Sequence, residues 1–242
     1  MDALLAFIGE HRFVLAAHAG ALLATSEDVA RTRLRKLTEA SYLIEEPVLG
    51  GQPAAYRITR LGLDVIGSRL RALPISLTNY WHDVGAAWLW LAARHGAFGP
   101  ARNVFAERVM RSHDARGGDA RFGVRLGGVG RDGRERLHYP DLLLIDRGGR
   151  RVAIELEITT KSPSAREKIL AGYAADPRID KVVYVVYKPQ VAQALSRSVS
   201  RLGISPLVAI HVVRQPDRPP PDAGRTRGMA RHGQRRVGEL AR

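Results

Sequence analysis

Between Val152 and Val213 the sequence alternates strand-like and helix-like runs, and nothing else in it constrains the fold as strongly. Val152 to Ile158 alternates like a strand, and Ser162 with Pro163 starts a helix running to about Tyr173. Lys181 to Tyr187 is a continuous run of the kind buried on both faces, Pro189 opens a helix to about Leu202, and Leu207 to Val213 closes the set. Upstream, Phe122 to Leu126 and Asp141 to Asp146 are further strand signals. Before them stand an aromatic-rich helix from Ser76, carrying Tyr80, Trp81, Val84, Trp88 and Leu91, and a helix expected over Asn103 to Ser112. Together these runs predict a mixed β-sheet with helices on both faces, of the α/β (α+β) class, over residues 74–213.

The first 73 residues read differently. Leu4, Leu5 and Ile8 mark one short amphipathic helix, and Val14, Leu15, His18, Leu22 and Leu23 a second. Thr25 or Ser26 caps a third, to about Ala40, with Val29, Leu34 and Leu37 as its expected buried stripe and Arg31, Arg33, Arg35 and Lys36 on its other face. Two β-like runs, Tyr42 to Leu49 and Ala54 to Thr59, flank the turn residues Gly50 to Pro53, and Thr59 caps a last helix through Leu70. Three helices, a hairpin and a helix is the order of a winged helix-turn-helix, whose third helix enters the major groove while the hairpin follows the backbone. Arg31, Arg33, Arg35 and Lys36 are therefore the candidate DNA contacts, with Arg57 and Arg60 secondary ones at the wing. One such helix reads only a few base pairs, which makes a homodimer the expected binding form.

Charge agrees with that reading. The chain carries 38 Lys and Arg against 24 Asp and Glu, a net charge of +14. It divides as +1 over residues 1–73, +8 over 74–213 and +5 over 214–242. An excess of this size makes a polyanion, and double-stranded DNA first, the default partner. Arg71 to Pro74 reads as a linker, and 214–242, rich in Pro, Gly and Arg without an apolar face, as a disordered basic tail. The longest apolar stretch, Val84 to Ala93, is about half of what a bilayer requires, so no membrane partner is expected. The absence of cysteine excludes disulfides and thiolate metal sites and fits a cytoplasmic protein, and the amino terminus does not read as a signal peptide.

Chemistry concentrates in His138-Tyr139-Pro140-Asp141 and in the run from Ile154 to Lys161. Glu155 and Glu157 leave the same strand face, about 6.6 Å apart. Whether Asp141 joins them depends on register. A two-residue turn at Gly148-Gly149 would place it opposite Leu156, and a three-residue loop, Arg147-Gly148-Gly149, would place it opposite Glu155; the second is preferred because it gathers the acids into an all-oxygen site of the kind Mg²⁺ favours.

A Pro-Asp at a strand start, a hairpin and an acidic pair on the next strand resemble the PD-(D/E)xK nuclease fold. That resemblance implies Mg²⁺ or Mn²⁺ held by Asp141, Glu155, Glu157 and Glu107, and a catalytic group of Asp141, Glu155, Glu157 and Lys161. It departs at Glu157, which occupies the position of the family's lysine; Lys161 or Lys168 would be relocated substitutes, and Lys161, about 13 Å of extended chain beyond Glu157, must fold back to take part. Residues 1–213, with Tyr80-Trp81-His82, His138 to Asp141 and Val152 to Ser162, are similar to the replication-relaxation family of mobile elements. The resemblance implies a winged helix followed by a nuclease-like sheet, plasmid DNA as the setting, and a relaxase or replication initiator as partner. Three functions stay open at this point: a DNA-binding protein of plasmid replication or relaxation whose second domain engages or processes DNA, a Mg²⁺-dependent restriction-type endonuclease, and a non-catalytic regulatory or architectural binder.

Overall fold

Caps and apolar spacing set the first elements, α1 (Asp2–Glu10), β1 (Val14–Leu15), α2 (Ala16–Leu23) and α3 (Glu27–Glu39). The computed structural model describes residues 2–117, 120–130 and 133–213; the expected basic tail lies outside the described residues. Ser26 Oγ accepts from the Val29 amide at 3.4 Å, and Glu27 and Asp28 occupy the first turn of α3, where negative charge suits the helix dipole. The buried stripe of α3 is Ala30 and Leu34, with Leu37 half-buried, and Val29 is 45% exposed. This corrects the expected stripe: residues 30, 34 and 37 share a helical face, and residue 29 sits one step round from it. Val14 and Leu15 form a short strand instead of opening α2, because the extended backbone at Ala55 and Tyr56 lies alongside to pair with them.

β2 (Leu43–Glu46) and β3 (Ala55–Ile58) form the hairpin, and with β1 a three-stranded antiparallel sheet in the order β1-β3-β2. Thr59 Oγ1 accepts from the Gly62 amide at 3.0 Å and starts α4 (Arg60–Val65). That helix stops short of the expected Leu70, in a backbone turn that includes Gly67 at φ +63°.

A short 3-10 turn at Leu77–Asn79 leads into α5 (Tyr80–Arg94). There follow β4 (Asn103–Ala106), α6 (Glu107–Gly117), β5 (Val124–Val129), β6 (Glu135–His138), β7 (Leu142–Ile145), β8 (Arg151–Glu157), α7 (Pro163–Ala175), β9 (Lys181–Val186), α8 (Pro189–Arg201) and β10 (Val208–Val212). The main sheet runs β10-β9-β8-β7-β4, with β7 antiparallel to both of its neighbours, β4 and β8, and with β8, β9 and β10 parallel. Its two faces are covered separately. Ala153, Val182, Tyr184 and Val186 pack under Leu170 and Tyr173 of α7 and Val191, Leu195 and Val199 of α8. Leu142, Leu144, Ile154, Leu156, Val183 and Val185 pack under Leu89 and Ala93 of α5. The mixed α/β sheet with helices on both faces is therefore the fold of this region.

One local reading is corrected, and one strand is added. Asn103 to Ala106 is a strand, not the start of a helix, since Val104 and Phe105 pair with Leu144 and Leu143 of β7 and the helix begins only at Glu107. β6 carries no apolar alternation and pairs with β5 as a separate ribbon. The chain enters that ribbon under the Asp114 carboxylate, which accepts from the amides of Arg121, Phe122 and Gly123 at 3.1, 2.9 and 2.8 Å.

The helix α5 joins the two halves of the described chain. Its Ala87 and Leu91 lie in one apolar cluster with α1 and α2, its Leu89 and Ala93 in the cluster over the sheet, and its Tyr80 and Val84 against Phe13 and Ala55. Gly85 allows the close approach: a Cβ there would lie 2.5 Å from Leu156 Cδ2 on β8. Arg108 adds polar stitching from α6 by donating to the His11 carbonyl at 2.7 Å and to the Arg71 carbonyl.

Candidate functional site

The register of the β7–β8 hairpin decides where the acids lie. Leu142 pairs with Ile154, Leu143 with Ala153, Leu144 with Val152 and Ile145 with Arg151. One step outward Asp141 faces Glu155, and at the other end the Asp146 amide donates to the Arg150 carbonyl at 3.0 Å. Arg147, Gly148 and Gly149 therefore form the loop, with Gly149 at φ +83°, a backbone conformation that a residue with a Cβ rarely adopts.

Each acid then has partners of its own. Glu155, on the face covered by α7, accepts from His138 Nε2 at 2.6 Å and from the Tyr173 hydroxyl through a short bond. Glu157, two residues on and equally buried, accepts from the Lys161 amide at 3.2 Å and from Lys161 Nζ at 2.9 Å. The lysine does fold back, within the turn that ends where Ser162 caps α7. Arg166, itself buried, braces that turn by donating to the Lys161 carbonyl at 3.2 Å and to Ser198 Oγ at 3.0 Å. Asp141 sits just before β7 begins, where the β8 backbone has an unpaired amide. Its Oδ2 accepts from the Leu156 amide at 2.6 Å, and its Oδ1 lies 3.2 Å from His82 Nε2 on α5.

Electrostatics follow from this pairing. Burial alone would pull the His82 imidazolium down, but the hydrogen bond and charge of Asp141, with Asp83 and Glu107 behind it, push it up to about 9. His138 is raised likewise, the charge and hydrogen bond of Glu155 outweighing burial, and Lys161 is raised by Glu157 and Glu155 against its own desolvation. The Tyr173 hydroxyl, fully buried beside Glu155, is held well above its ordinary value. Three buried carboxylates thus have His82, His138 and Lys161 as their counter-cations.

Asp141, Glu155, Lys161, His138, His82 and Arg12 border one cleft of about 270 Å³, and Glu107 also reaches it, its carboxylate held by Arg111 Nε at 2.7 Å. Glu157 is linked to the cleft only through Lys161. Mg²⁺ calls for oxygen ligands converging in near-octahedral geometry. Here the same Glu155 oxygen already takes two donors and each acid has its own cation, and no three His, Asp or Glu side chains gather as a metal-holding group among the described residues. As arranged, the set does not fit the divalent cation that the nuclease resemblance implies.

The strand pattern singled out Asp141, Glu155 and Glu157, and the nuclease resemblance added Lys161; Asp141, Glu155 and Lys161 border one cleft, and Glu157 meets it through Lys161. His82 and Tyr173 were not singled out as partners of the acids. Tyr173 had one available signal: Arg166, Leu170 and Tyr173 recur at helical spacing on the buried side of α7.

The DNA-contact candidates divide into two groups. Arg31 pairs with Glu27 at 2.5 Å, Arg35 with Glu39 at 3.9 Å, Arg60 with Asp64 at 2.8 Å, and Arg57 with Glu46. Arg33 and Lys36 are exposed, have no ion-pair partner among the described residues, and share a helical face with the exposed Val29. The chain matches no protein-family model, no curated protein and no solved structure.

Proposed function

We propose that this chain is a double-stranded-DNA-binding protein of a plasmid or mobile element, in which residues 1–73 act as a winged helix-turn-helix and the α5-to-β10 region engages the same DNA. The observation that carries the reading is the outer face of α3, where Val29, Arg33 and Lys36 stand exposed on a helix followed by an antiparallel hairpin. An arginine fork or lysine reads guanine, and a neighbouring apolar side chain suits the thymine methyl. Arg31, Arg35, Arg57 and Arg60 would exchange a surface carboxylate for a phosphate, an exchange of small cost because exposed ion pairs contribute about 0–1 kcal/mol. The net charge of +14 supports the reading and requires affinity to fall steeply with salt. The plasmid setting, the cytoplasmic location and a relaxase or replication initiator as partner rest on the replication-relaxation resemblance and the lack of cysteine.

Fluorescence anisotropy with a labelled duplex tests this. Arg33→Ala with Lys36→Ala should weaken binding and flatten its salt dependence, and an unchanged affinity would remove α3 as the reader.

A second reading, a Mg²⁺- or Mn²⁺-dependent nuclease, is favoured by one observation: Asp141 and Glu155 face each other across the hairpin with Lys161 at the same cleft. It requires His138 and Tyr173 to release Glu155 first. We therefore infer that the cluster in its resting form does not cut DNA. Nicking of supercoiled plasmid in Mg²⁺ or Mn²⁺, lost in Asp141→Ala, would reverse that inference.

A further inference from the structure

A second and larger cleft, of about 580 Å³, lies between the two halves of the chain and is continuous with the acid cluster, sharing Arg12, His82, Asp83, Glu107, Arg111 and Asp141 with its smaller neighbour. One wall comes from the end of α1 and the segment after α4, the other from α6. Its arginines are Arg12, Arg69, Arg71, Arg108, Arg111 and Arg116. They come from separate stretches of sequence, so only the fold assembles them.

Not all of them are committed. Arg108 spends its guanidinium on the His11 and Arg71 carbonyls, and Arg111 is held by Glu107 and lies over the Tyr139 ring, its Cζ 4.5 Å from the ring centre. Arg12 makes a long contact, 3.7 Å, with Asp83. Arg69 and Arg71 are exposed at the rim. Burial pushes two acids of the cleft up, Glu10 to about 7 and Asp83 to about 6. Leu70, Leu73, Ala86 and Ala115 supply apolar wall between the charges.

The size falls within the range of about 300–1,000 Å³ that takes a nucleotide-sized molecule, and a recess of that size cannot admit a duplex. A basic groove with apolar wall is what an unpaired strand requires, its phosphates meeting guanidinium forks. We propose that this arginine cleft binds the phosphates of unpaired DNA, either the end or displaced segment of one strand or a free nucleotide, and leads it toward Asp141 and Lys161. The proposal rests on the DNA-binding reading above but assigns different residues and a different form of the ligand.

Anisotropy of the full chain with labelled oligothymidylate of twelve residues and, separately, with a labelled mixed-sequence duplex tests it. Arg69→Ala with Arg71→Ala removes two exposed rim side chains. It should leave the melting temperature unchanged, weaken oligothymidylate binding about tenfold and lower its salt slope by about 1.4, at roughly 0.7 per phosphate contact. Duplex affinity should stay within about twofold. Arg33→Ala with Lys36→Ala should do the reverse, so failure of the α3 reading appears in the duplex arm and failure of the cleft in the single-strand arm. Displacement of oligothymidylate by thymidine monophosphate identifies a free nucleotide as a sufficient ligand, and absence of displacement identifies the strand; either supports the cleft. Oligothymidylate binding that is absent in the parent chain, or unchanged in the Arg69, Arg71 variant, overturns it.

Discussion

Acidic and basic side chains meet in pairs both on α3 and around β8, and the same chemistry serves opposite ends in the two places. On α3, Glu27 with Arg31 and Glu39 with Arg35 are exposed neighbours one turn apart, held weakly and screened by salt. Around β8, Glu155 with His138 and Tyr173, and Glu157 with Lys161, are buried, and each loss would leave an uncompensated group out of water. Exposed pairs keep their cations available to a partner, and buried pairs turn theirs into architecture. On the proposed reading, the basic residues free to meet DNA are therefore Arg31 and Arg35, whose carboxylates are exposed, and Arg33 and Lys36 on α3 and Arg69 and Arg71 at the cleft, which have no ion-pair partner among the described residues.

The largest expected effect tests the buried side of that contrast. Glu155→Ala would strand the His138 ring and the Tyr173 hydroxyl without their acceptor and should destabilise the fold by about 3–5 kcal/mol. Glu155→Gln, which keeps an acceptor oxygen, should cost less. Urea unfolding of both variants measures the difference, and a cost below about 1 kcal/mol for Glu155→Ala would mean that the cluster is not architectural.

That cluster also marks how far the sequence could be read. The register was legible because Gly148-Gly149 leaves only two turn lengths and the acid pattern prefers one of them, the one observed. The return of Lys161 was legible as a requirement, and Ser162 with Pro163 supplies the sharp helix start that meets it. His82 and Tyr173 were not legible as partners, because they reach Asp141 and Glu155 from α5 and α7 and no spacing within one element reports a contact between elements. β4 was misread because Val104 and Phe105 precede a true helix, and only the pairing with β7 separates strand from helix there. The arginine cleft was invisible for the same reason, its members lying between residues 12 and 116.

The second expected effect concerns pH in the first half of the chain. His11 and His18 are buried, and burial pulls them down from 6.5 to about 4 and about 3. Their folded values are depressed, so the unfolded chain takes up protons first as pH falls below 6.5. Stability from these neutral rings is complete above that pH and is lost progressively down toward 4 and 3. Thermal unfolding followed between pH 7 and about 4 should show this loss, and His18→Gln should remove part of it. A melting temperature that is flat across that interval would contradict the burial of both rings.

On the exposed side, Arg33→Ala with Lys36→Ala should cost duplex affinity about 1–3 kcal/mol for each lost base-edge contact. Arg31→Ala with Arg35→Ala, which removes paired cations, should cost less and with no change in sequence preference. Equal losses in the two double variants, read by anisotropy across a set of duplexes, would erase the distinction between paired and unpaired arginines on α3.

The smallest effect sharpens the contrast most directly, because it isolates folding from binding. Arg35→Ala removes a pair whose atoms are 3.9 Å apart and whose side chains are both about two-thirds exposed. A pair one turn apart on a helix contributes about 0.2–0.5 kcal/mol, and alanine's higher helix propensity offsets part of that loss. The net change in unfolding free energy should therefore lie within about 0.5 kcal/mol and shrink further in high salt. Lys161→Ala, removing a cation of the same sign from the half-buried partner of Glu157, should cost several times more and should not recover in salt, because the buried Glu157 carboxylate would be left without its counter-charge. If the two variants unfold alike, burial does not separate the two kinds of pair, and the division of this chain's charges into available and structural ones fails.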